Sequence, residues 1–520
     1  MPETDDMTIE EEHREISVAE FFEKNRHLLG FNNAQKAIIT CVKEAVDNSL
    51  DACEKDDILP EIHVSIEEEG DNLRFQVKDN AIGLSKDTIP NVFGKLLYSD
   101  KFHKLQQSRG QQGIGISAAG MYAQLTTGTP VKIYSKQKGS DDTHMFKVRI
   151  DTETNEPEVL EDRLVDDYEF DHGTSLEMEI EGKYTGGHHS VENYLKHTAI
   201  MNPYARIVLK EPDGNTIEYP RVTDQMPETP DEIQPHPHGV ELGVLMRMIN
   251  NSSARTVKSF LQNEFTRVGR TSAEDIIEKT DLEGKNRPNT LEKDEIEDLL
   301  QAMQDTDLQN PPTNCISPLG EDLIVEGLKK ELNPEFVTAV TRKPAVYRGN
   351  PFQIEVGVAW GGDIEGGGTY NALRYANKVP LLYKKNACAT TEAIRDVDWS
   401  RYGLDESGDR PAGPVYILVH MASVWVPFTS EGKEAIATYP EIKKEMKLAL
   451  QEAGRDLKRH ISQKRKREMQ QKKAEKLSAY SKEMVPALAR LTEVDEDEIS
   501  DNLADLLQDN YQVDDVEVEA

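Results

Sequence analysis

The chain has 520 residues, enough for several domains with their own cores, and its 95 acidic against 61 basic residues give a formal net charge of -34. Its four cysteines show no CxxC spacing, which excludes a disulfide framework and a zinc site. Its first residues are acidic and polar, which excludes a secretory signal, and no apolar run is long enough to cross a bilayer. We therefore predict a cytoplasmic protein. The acidic excess disfavours nonspecific binding to nucleic acid and is tolerated in a salt-rich cytoplasm, where charges are screened over about 3 Å at molar ionic strength, so we predict a halophilic source.

A helix is predicted over residues 34–53, where apolar side chains recur at helical spacing and bury one face. Glu44, Asn48 and Asp51 follow one another at i, i+4 and i+7, so they form one polar stripe on another face. A carboxylate in such a stripe can orient an attacking water, and an amide oxygen one turn away can bind a Mg²⁺ ion that bridges to phosphates. For the stripe alone, a solvated helix face is the better interpretation.

A β-hairpin is predicted next, because residues 62–66 and 73–77 both alternate apolar and polar side chains around a glycine-containing turn. Asp79 follows the second strand, and residues 80–83 turn the chain away. A carboxylate at a strand end can accept a hydrogen bond from an adenine amino group, and Gly83 lets the backbone come close to a base. Taken alone, this Asp-Asn segment is an ordinary turn.

A glycine-rich loop supplies candidate phosphate contacts, which are Gly110, Gln111, Gln112, Gly113, Ile114, Gly115, Ile116 and Ser117. Glycines at this spacing let successive N–H groups point inward, and the apolar run over residues 116–122 predicts a helix whose positive end faces an anion. No Gly-Lys-Ser/Thr sequence follows, so the loop is not a Walker motif. A mobile surface loop is the alternative.

Three further residues are candidates for the same nucleotide site. Asp100 and Lys101 lie just upstream of the glycine-rich loop, where a solvated pair is an equally good interpretation. Thr174 begins a predicted strand of alternating apolar residues, and its hydroxyl can close an adenine pocket. Threonine at the start of a strand is also common without a function.

The second half of the chain predicts two more structural units. A proline-rich segment over residues 224–238 predicts a linker, and residues 239–309 have a helical pattern. A second α/β unit follows, with strands predicted at residues 352–358 and 415–426.

A long, largely helical segment is predicted from residue 431 to about residue 484, with an interruption at Pro440. This places Lys433 in the first turn of the segment, where an ammonium group beside free backbone N–H groups suits a γ-phosphate. By position alone, Lys433 is a surface lysine. Residues 458–473 form a basic stretch that is either functional or simply solvated, and we predict that the acidic residues 493–520 are a disordered tail.

Four of these features together resemble the four motifs of the GHKL (Bergerat-fold) ATPases: Glu44 with Asn48, Asp79 with Gly83, the glycine-rich loop, and Gly173 with Thr174. Further blocks are similar to the B subunits of archaeal DNA topoisomerase VI, and they lie at residues 16–22, 30–31, 42–52, 98–102, 108–117, 235–239 and 425–434. One departure is Ala81, where these proteins generally have glycine. An alanine at this position needs negative φ or some strain.

The resemblance implies an α+β multidomain protein. Its parts are an N-terminal arm (1–30), a GHKL α/β sandwich ATPase domain (31–223), a linker and small helix-two-turn-helix domain (224–310), an α/β transducer domain with a long C-terminal helix (311–484) and an acidic tail (485–520). It implies ATP and Mg²⁺ as cofactors, with Asn48 as the metal ligand, Glu44 as the catalytic base and Lys433 as a γ-phosphate sensor.

The activity implied by the resemblance is that of an ATP-gated clamp, the ATP-hydrolysing part of a type IIB topoisomerase that relaxes and decatenates duplex DNA. The implied partners are a second copy of the chain, joined through the ATPase domain and the N-terminal arm when ATP binds, duplex DNA, and a separate DNA-cleaving A subunit in an A2B2 heterotetramer.

Other protein classes share parts of this pattern. A sensor histidine kinase needs a phosphoacceptor helix, and too little chain precedes Glu44 for one, while a gyrase-like B subunit needs a Glu-Gly-Asp-Ser-type signature that we do not find. Another GHKL clamp, of the mismatch-repair or chaperone type, and a scaffold that binds nucleotide without hydrolysing it remain alternatives.

Overall fold

The structure is a computed structural model that describes residues 18–26, 29–99, 104–110, 113–166, 168–366, 368–430 and 432–511. Its helices are α1 (Val18–Asn25), α2 (Ala34–Lys55), α3 (Ile89–Gly94), α4 (Gly115–Thr127), α5 (Val191–Met201), α6 (Leu242–Asn251), α7 (Val257–Glu264), α8 (Arg270–Glu278), α9 (Lys293–Asp305), α10 (Glu321–Leu332), α11 (Ala389–Arg395), α12 (Pro440–Thr492) and α13 (Glu496–Tyr511). Its strands are β1 (Glu61–Glu69), β2 (Asn72–Asp79), β3 (Val131–Lys136), β4 (Thr143–Ile150), β5 (Pro157–Val165), β6 (Gly173–Ile180), β7 (Arg206–Lys210), β8 (Thr216–Tyr219), β9 (Phe336–Thr341), β10 (Ala345–Tyr347), β11 (Asn350–Trp360), β12 (Asn371–Ala376), β13 (Val379–Pro380), β14 (Asp405–Ser407), β15 (Arg410–Ala412) and β16 (Val415–Ser423).

An eight-stranded sheet in the order β5-β4-β3-β6-β2-β1-β7-β8 forms the first α/β unit. Every neighbouring pair is antiparallel except β1 and β7, which run parallel. Alternate residues of β2 are buried, so one face of the sheet carries apolar side chains such as Phe75. Val46 of α2 and Met121 of α4 lie in the same hydrophobic core, so the two helices that flank the predicted nucleotide site are fixed to this sheet.

The elements predicted around the nucleotide site are confirmed. Helix α2 covers the predicted residues 34–53 and begins after Asn33, whose side chain accepts a hydrogen bond from the backbone N–H of Lys36. Strands β1 and β2 form the predicted hairpin, in which Ile62 lies opposite Asp79. The helix and the strand predicted after the glycine-rich loop are α4 and β6.

Four helices, α6 to α9, form a separate bundle after the proline-rich segment, as the helical pattern predicts. They pack around their own buried side chains, which include Leu245, Phe260, Ile276 and Leu299. The assignment of this bundle as a helix-two-turn-helix domain stays a prediction.

A second sheet, in the order β10-β11-β16-β12-β13 with β9 also paired to β11, forms the second α/β unit, and β11 and β16 confirm the two strands predicted there. The first part of α12 packs on this sheet through buried side chains, among them Met446, Leu450 and Leu457. Because α12 has 53 residues, it is about 80 Å long and extends well beyond the sheet. The basic stretch begins where α12 still contacts the second unit, since Lys464 pairs with Glu335 at 2.6 Å and Arg465 donates to the carbonyl oxygen of Gly403 at 3.2 Å, and most of its residues are exposed.

Two predictions about the end of the chain are wrong. Helix α12 begins at Pro440 and not at residue 431, because proline fits the first turn of a helix, whereas Ala435 and Ile436 are buried in an extended segment that pairs back on Phe428. The acidic segment is not disordered over its described part, since α13 packs against α12 through a face that includes the buried Ser500. The apolar residues of α13 recur at helical spacing, but the surrounding acidic side chains concealed this pattern.

Helix α12 also continues through Pro486 to Thr492, so the predicted boundary at residue 484 does not coincide with the end of a helix. None of the helices in the described ranges is both long enough and apolar enough to cross a bilayer.

Candidate nucleotide site

A cavity of about 690 Å³ lies between α2, α4, the ends of β2 and β6, and a loop from the second α/β unit. Its walls include most of the predicted site residues, which are Glu44, Asn48, Asp79, Gly83, Gly110, Gly113, Ile114, Gly115, Ile116, Thr174 and Lys433. A volume of this size is typical of sites that enclose a small ligand. The structure therefore brings together residues that are up to 389 positions apart, since Glu44 and Lys433 line the same cavity.

The remaining predicted site residues are not on the cavity wall or are not described. Ser117 is buried in the first turn of α4, where its hydroxyl donates to the carbonyl oxygen of Ile114 at 3.2 Å. The predictions for Asp100, Lys101, Gln111 and Gln112 lie outside the described residues.

Asp79 is held rigidly at one end of the cavity. Its Oδ1 accepts hydrogen bonds from the backbone N–H groups of Ala81 at 3.1 Å and Thr174 at 3.0 Å, and its Oδ2 accepts one from the hydroxyl of Ser49 at 2.7 Å. Burial raises the pKa of Asp79, although these three hydrogen bonds oppose the shift. Because each carboxylate oxygen has two lone pairs, Oδ2 keeps one acceptor position, which an exocyclic amino group can fill.

Two glycines allow close backbone contacts at this end of the cavity. Gly83 has φ +73°, and a Cβ atom there would lie 2.1 Å from the carbonyl oxygen of Lys136. At Gly173 a Cβ atom would lie 2.0 Å from the carbonyl oxygen of Asp79. Ala81, in contrast, is not among the non-glycine residues of the described chain that have positive φ, so the alanine in this turn fits without strain.

Glu44 lies against the start of α4. A Cβ atom at Gly115 would lie only 1.8 Å from Oε2 of Glu44, so this position has room for glycine alone while the carboxylate stays in place. The N-cap of α4 is Ile114, whose side chain cannot accept a hydrogen bond, so the first N–H groups of the helix are not capped by it. The carboxylate and a helix N-terminus that favours anions therefore face the same space.

A small group of buried charges surrounds Glu44. Lys43 Nζ lies 3.2 Å from Glu44 Oε1 and 3.8 Å from Asp47 Oδ2, and the hydroxyl of Tyr194 donates to Asp47 at 3.0 Å. Burial raises the pKa of Asp47, whereas the two carboxylates hold the pKa of Lys43 above its usual value against the effect of burial. Lys43 thus stays a cation that orients the Glu44 carboxylate.

Lys433 enters the cavity from the second α/β unit. It lies in the loop before α12, not in the first turn of that helix as predicted, and it has the left-handed φ of +51°. Its side chain is 7% exposed, and Nζ donates a hydrogen bond of 3.0 Å to the carbonyl oxygen of Arg109, the residue before Gly110. An ammonium group is therefore present where the glycine-rich loop begins.

Several charged residues next to the cavity have no signal in the local sequence. The Arg109 guanidinium donates to Asp51 at 2.9 Å and to Glu54, both on α2, so Asp51 of the predicted polar stripe binds an arginine. Arg109 and Lys378 lower the pKa of Glu54 to about 2 despite its burial. Because these partners are far apart in the chain, spacing could not reveal them.

The described residues contain no cluster of three or more histidine, cysteine or acidic side chains that would hold a metal ion by itself. Asn48 lines the cavity one helical turn from Glu44. Mg²⁺ keeps several waters and binds phosphates, so one amide oxygen is a sufficient protein ligand for it, and the donor set fits a nucleotide-bound magnesium ion.

The fold and the cavity define a GHKL-type ATPase joined to a transducer, and two family matches agree with this class. Residues 33–154 match the family described as histidine kinase-, DNA gyrase B-, and HSP90-like ATPase, and residues 311–473 match topoisomerase VI B subunit, transducer. The expected α+β fold class is confirmed. One solved structure with a partial likeness is the 43K ATPase domain of Thermus thermophilus gyrase B, with 13% identity and a TM-score of 0.41 over 86% of this chain and 91% of that chain.

Relatives match over nearly the whole chain. The B subunit of type 2 DNA topoisomerase 6 from Archaeoglobus fulgidus is 50% identical over 454 residues, which are 87% of this chain and 75% of that protein. The proteins of the same name from Methanococcoides burtonii and Methanosarcina barkeri are 49% and 45% identical, over 86% and 96% of this chain and 72% and 82% of their own lengths. The chain belongs to the family of type 2 DNA topoisomerase 6 B subunits, which confirms the resemblance seen in its motifs.

Proposed function

We propose that this chain binds ATP and Mg²⁺ in the cavity, hydrolyses ATP with Glu44 as the catalytic base, and uses the bound nucleotide to close a dimer that passes duplex DNA together with a separate A subunit. One observation carries the proposal. Glu44 from the first α/β unit and Lys433 from the second face one cavity, and both lie beside the glycine-rich loop.

Recognition of the base is assigned to the Asp79 end of the cavity. The open acceptor position on Oδ2 suits the amino group of adenine, and Thr174 lies on the same wall. Guanine has a carbonyl oxygen where adenine has this amino group, so a fixed carboxylate acceptor disfavours GTP.

The phosphates are assigned to the other end of the cavity, between the glycine-rich loop and the start of α4. Asn48 would hold the magnesium ion, which supplies charge neutralisation at the phosphate oxygens when bound. Glu44, oriented by Lys43, holds the attacking water in line with the γ-phosphate and accepts its proton. Phosphoryl transfer needs mainly positioning and electrostatic stabilisation, which these groups provide.

Lys433 is assigned as the sensor of the γ-phosphate. Its ammonium group donates to a backbone carbonyl of the loop in the structure and can exchange this acceptor for a phosphate oxygen. Because Lys433 belongs to the second α/β unit, its preference for ATP over ADP biases the position of that unit. Such differential binding is the source of the conformational drive, and hydrolysis would then reopen the clamp.

Contacts with DNA and with the A subunit are also part of the proposal. The net charge of -34 opposes DNA binding, but most of the basic residues of α12 over residues 458–473 are exposed, and Lys464 is the member that pairs with Glu335. Membership of the family favours this activity over a mismatch-repair or chaperone clamp. It also disfavours a scaffold that does not hydrolyse nucleotide.

The test compares three variants of the purified chain at molar salt. Glu44→Gln keeps the size of the side chain, so we expect binding of a non-hydrolysable ATP analogue and analogue-dependent dimerisation to remain, while phosphate release falls about 100-fold or more. Lys433→Met should weaken dimerisation by the analogue. Glu67→Gln, an exposed residue of β1, is the control and should behave as the wild type. Retention of most ATPase activity by Glu44→Gln would remove Glu44 from the mechanism.

A second experiment addresses the topoisomerase activity. The chain is mixed with its candidate A subunit and interlinked DNA circles, and decatenation is followed with and without ATP. We expect decatenation only when ATP and both subunits are present. ATP hydrolysis without any ATP-dependent decatenation would leave an ATPase whose proposed DNA function is wrong.

A further inference from the structure

The three residues before the glycine-rich loop, Gln107 to Arg109, are bound to the second α/β unit, and we call them the strap. The Gln107 backbone N–H donates to the carbonyl oxygen of Cys315 at 2.9 Å, and its side chain both donates to and accepts from the backbone of Ser317, at 3.0 and 2.7 Å. The carbonyl oxygen of Ser108 accepts a hydrogen bond of 3.1 Å from the side chain of Asn377. The strap therefore belongs to the first unit by sequence but is anchored on the second.

Arg109, the last residue of the strap, is linked to the second unit directly through its backbone and indirectly through Glu54. Its carbonyl oxygen accepts the hydrogen bond from Lys433. Its guanidinium binds Glu54 on α2, and Glu54 also accepts a hydrogen bond of 3.1 Å from Nζ of Lys378. The side chains of Arg109 and Lys378 are 3% and 4% exposed, and the Glu54 carboxylate compensates the buried charge of both, together with Asp51 in the case of Arg109.

The backbone that carries Lys378 provides an independent observation. Asn377 and Lys378 form the two-residue turn between β12 and β13, with φ values of +48° and +67°. Turns of this kind need positive φ at both positions, and asparagine followed by glycine is the usual sequence. Lysine at the second position carries strain that glycine would avoid, and such strain persists only where the surrounding contacts hold the residue in place. Glycine would avoid this strain but would lack the Lys378 side chain, so the side chain is the feature that distinguishes the turn from the usual one.

We infer that the strap, together with Lys378 and Asn377, couples the nucleotide-binding loop to the transducer, with Lys378 and Asn377 as positioning residues. The inference rests on the proposed function. The strap leads directly into Gly110, the first residue of the glycine-rich loop. When this loop rearranges around phosphates, it therefore moves the strap, which the transducer holds through short buried contacts. Buried polar contacts of this kind switch between discrete arrangements and do not deform smoothly, so movement of the loop is passed to β12 and β13.

The test measures amide hydrogen exchange of the full chain by mass spectrometry, with and without a non-hydrolysable ATP analogue. In the wild type we expect the analogue to slow exchange both at residues 113–117 and at residues 371–381. Lys378→Met removes the ammonium group, and Lys378→Gly removes it while relieving the strain of the turn. In both variants we expect the analogue to slow exchange at residues 113–117 as in the wild type. The slowing of exchange at residues 371–381 should fall to less than about half of its wild-type value. We expect the apparent affinity for the analogue to weaken roughly fivefold or more.

Lys330→Met is the matched control. Lys330 lies on α10 of the same unit, its side chain is 5% exposed, and it pairs with Glu331 at 3.5 Å; among the described residues its ammonium group makes no ion pair with the strap. This variant should keep the wild-type response at residues 371–381. A purely structural role of buried lysines would affect Lys330→Met and Lys378→Met alike, and that result would overturn the inference.

Two further outcomes separate this inference from the proposed function. Normal analogue binding with an unchanged response at residues 371–381 in both Lys378 variants would overturn the inference and leave the proposed function standing. Failure of the wild type to bind the analogue at all would remove the proposed function, and the inference with it.

Discussion

Substitution of Gly115 by alanine tests the proposed role of Glu44 without changing Glu44 itself. The added Cβ would lie 1.8 Å from Oε2 of Glu44, whereas ordinary contact begins at 3.4 Å, so the carboxylate has to retreat by about 1.6 Å. Displacement of a catalytic group by about 1 Å costs on the order of 100-fold in rate, which corresponds to about 2.7 kcal/mol in activation free energy. We therefore expect kcat for ATP hydrolysis to fall about 100-fold or more.

The stability of the fold should not fall with it. Gly115 is the first residue of α4, and alanine is better than glycine inside a helix by about 1 kcal/mol. The assay is phosphate release at saturating ATP, combined with analogue binding to show that the cavity is intact. Gly243→Ala is the matched control, because Gly243 lies in the first turn of α6 and an added Cβ meets no atom within 4 Å. If Gly115→Ala hydrolysed ATP within about threefold of the wild type, Glu44 would not act from the observed position.

Three other predictions concern single charges and the whole surface. Asp79→Asn places an amide where the adenine amino group needs an acceptor. Because a hydrogen bond to a charged group contributes about 1.5–3 kcal/mol, calorimetry should show roughly 10- to 100-fold weaker binding of the ATP analogue. Unchanged affinity would contradict the assigned base site. The pKa of Glu54 is lowered from 4.5 to about 2, so its ionised form stabilises the fold by about 3 kcal/mol above pH 4.5, and this contribution is lost as the pH falls towards 2. The stability of Glu54→Gln, measured from denaturation curves, should therefore depend less on pH between 4.5 and 2 than that of the wild type. An equal pH dependence of stability in the two proteins would refute the assignment. The net charge of -34 predicts that the melting temperature rises between low and molar salt, and a constant or falling value would argue against a halophilic source.

The parts of the site that lie on single elements could be predicted from the sequence, because each depends on a local pattern. The stripe of Glu44 and Asn48 follows from helical periodicity, and Asp79 follows from the alternation that ends at the second strand of a hairpin. The glycines of the loop could be recognised as candidates for the same reason. Spacing alone did not show that these segments meet, and the resemblance to a known family supplied that step.

The position of Lys433 was beyond local reasoning. Its block was recognised by resemblance, but the helix assigned to it begins seven residues later, and the residue has positive φ in a loop whose neighbours Ala435 and Ile436 are buried. The loop conformation depends on packing against the second sheet, which has no periodic signature. Propensity is a weak guide wherever tertiary contacts decide the backbone.

The bonds between the two α/β units were also invisible in the sequence. Arg109, Glu54 and Lys378 each look like ordinary solvated charges in their own segments, and only the fold brings both cations within 3.1 Å of the Glu54 carboxylate and buries them. Helix α13 was missed for the opposite reason, because a real apolar periodicity was hidden in an acidic composition. In both cases the surroundings of the charges, and not their number in the sequence, decide the structure.

The distribution of charge suggests why the coupling between the units is built from buried contacts. At molar ionic strength the screening length is about 3 Å, so attraction between exposed charges, including that between the basic residues of α12 and DNA, is strongly weakened. Contacts such as Lys378 with Glu54 at 3.1 Å and Lys433 with the Arg109 carbonyl at 3.0 Å are about as short as that distance and are shielded from solvent. The predicted halophilic source would expose a chain with a net charge of -34 to concentrated salt, where long-range surface charges transmit very little, and the proposed coupling through the strap would not depend on such charges.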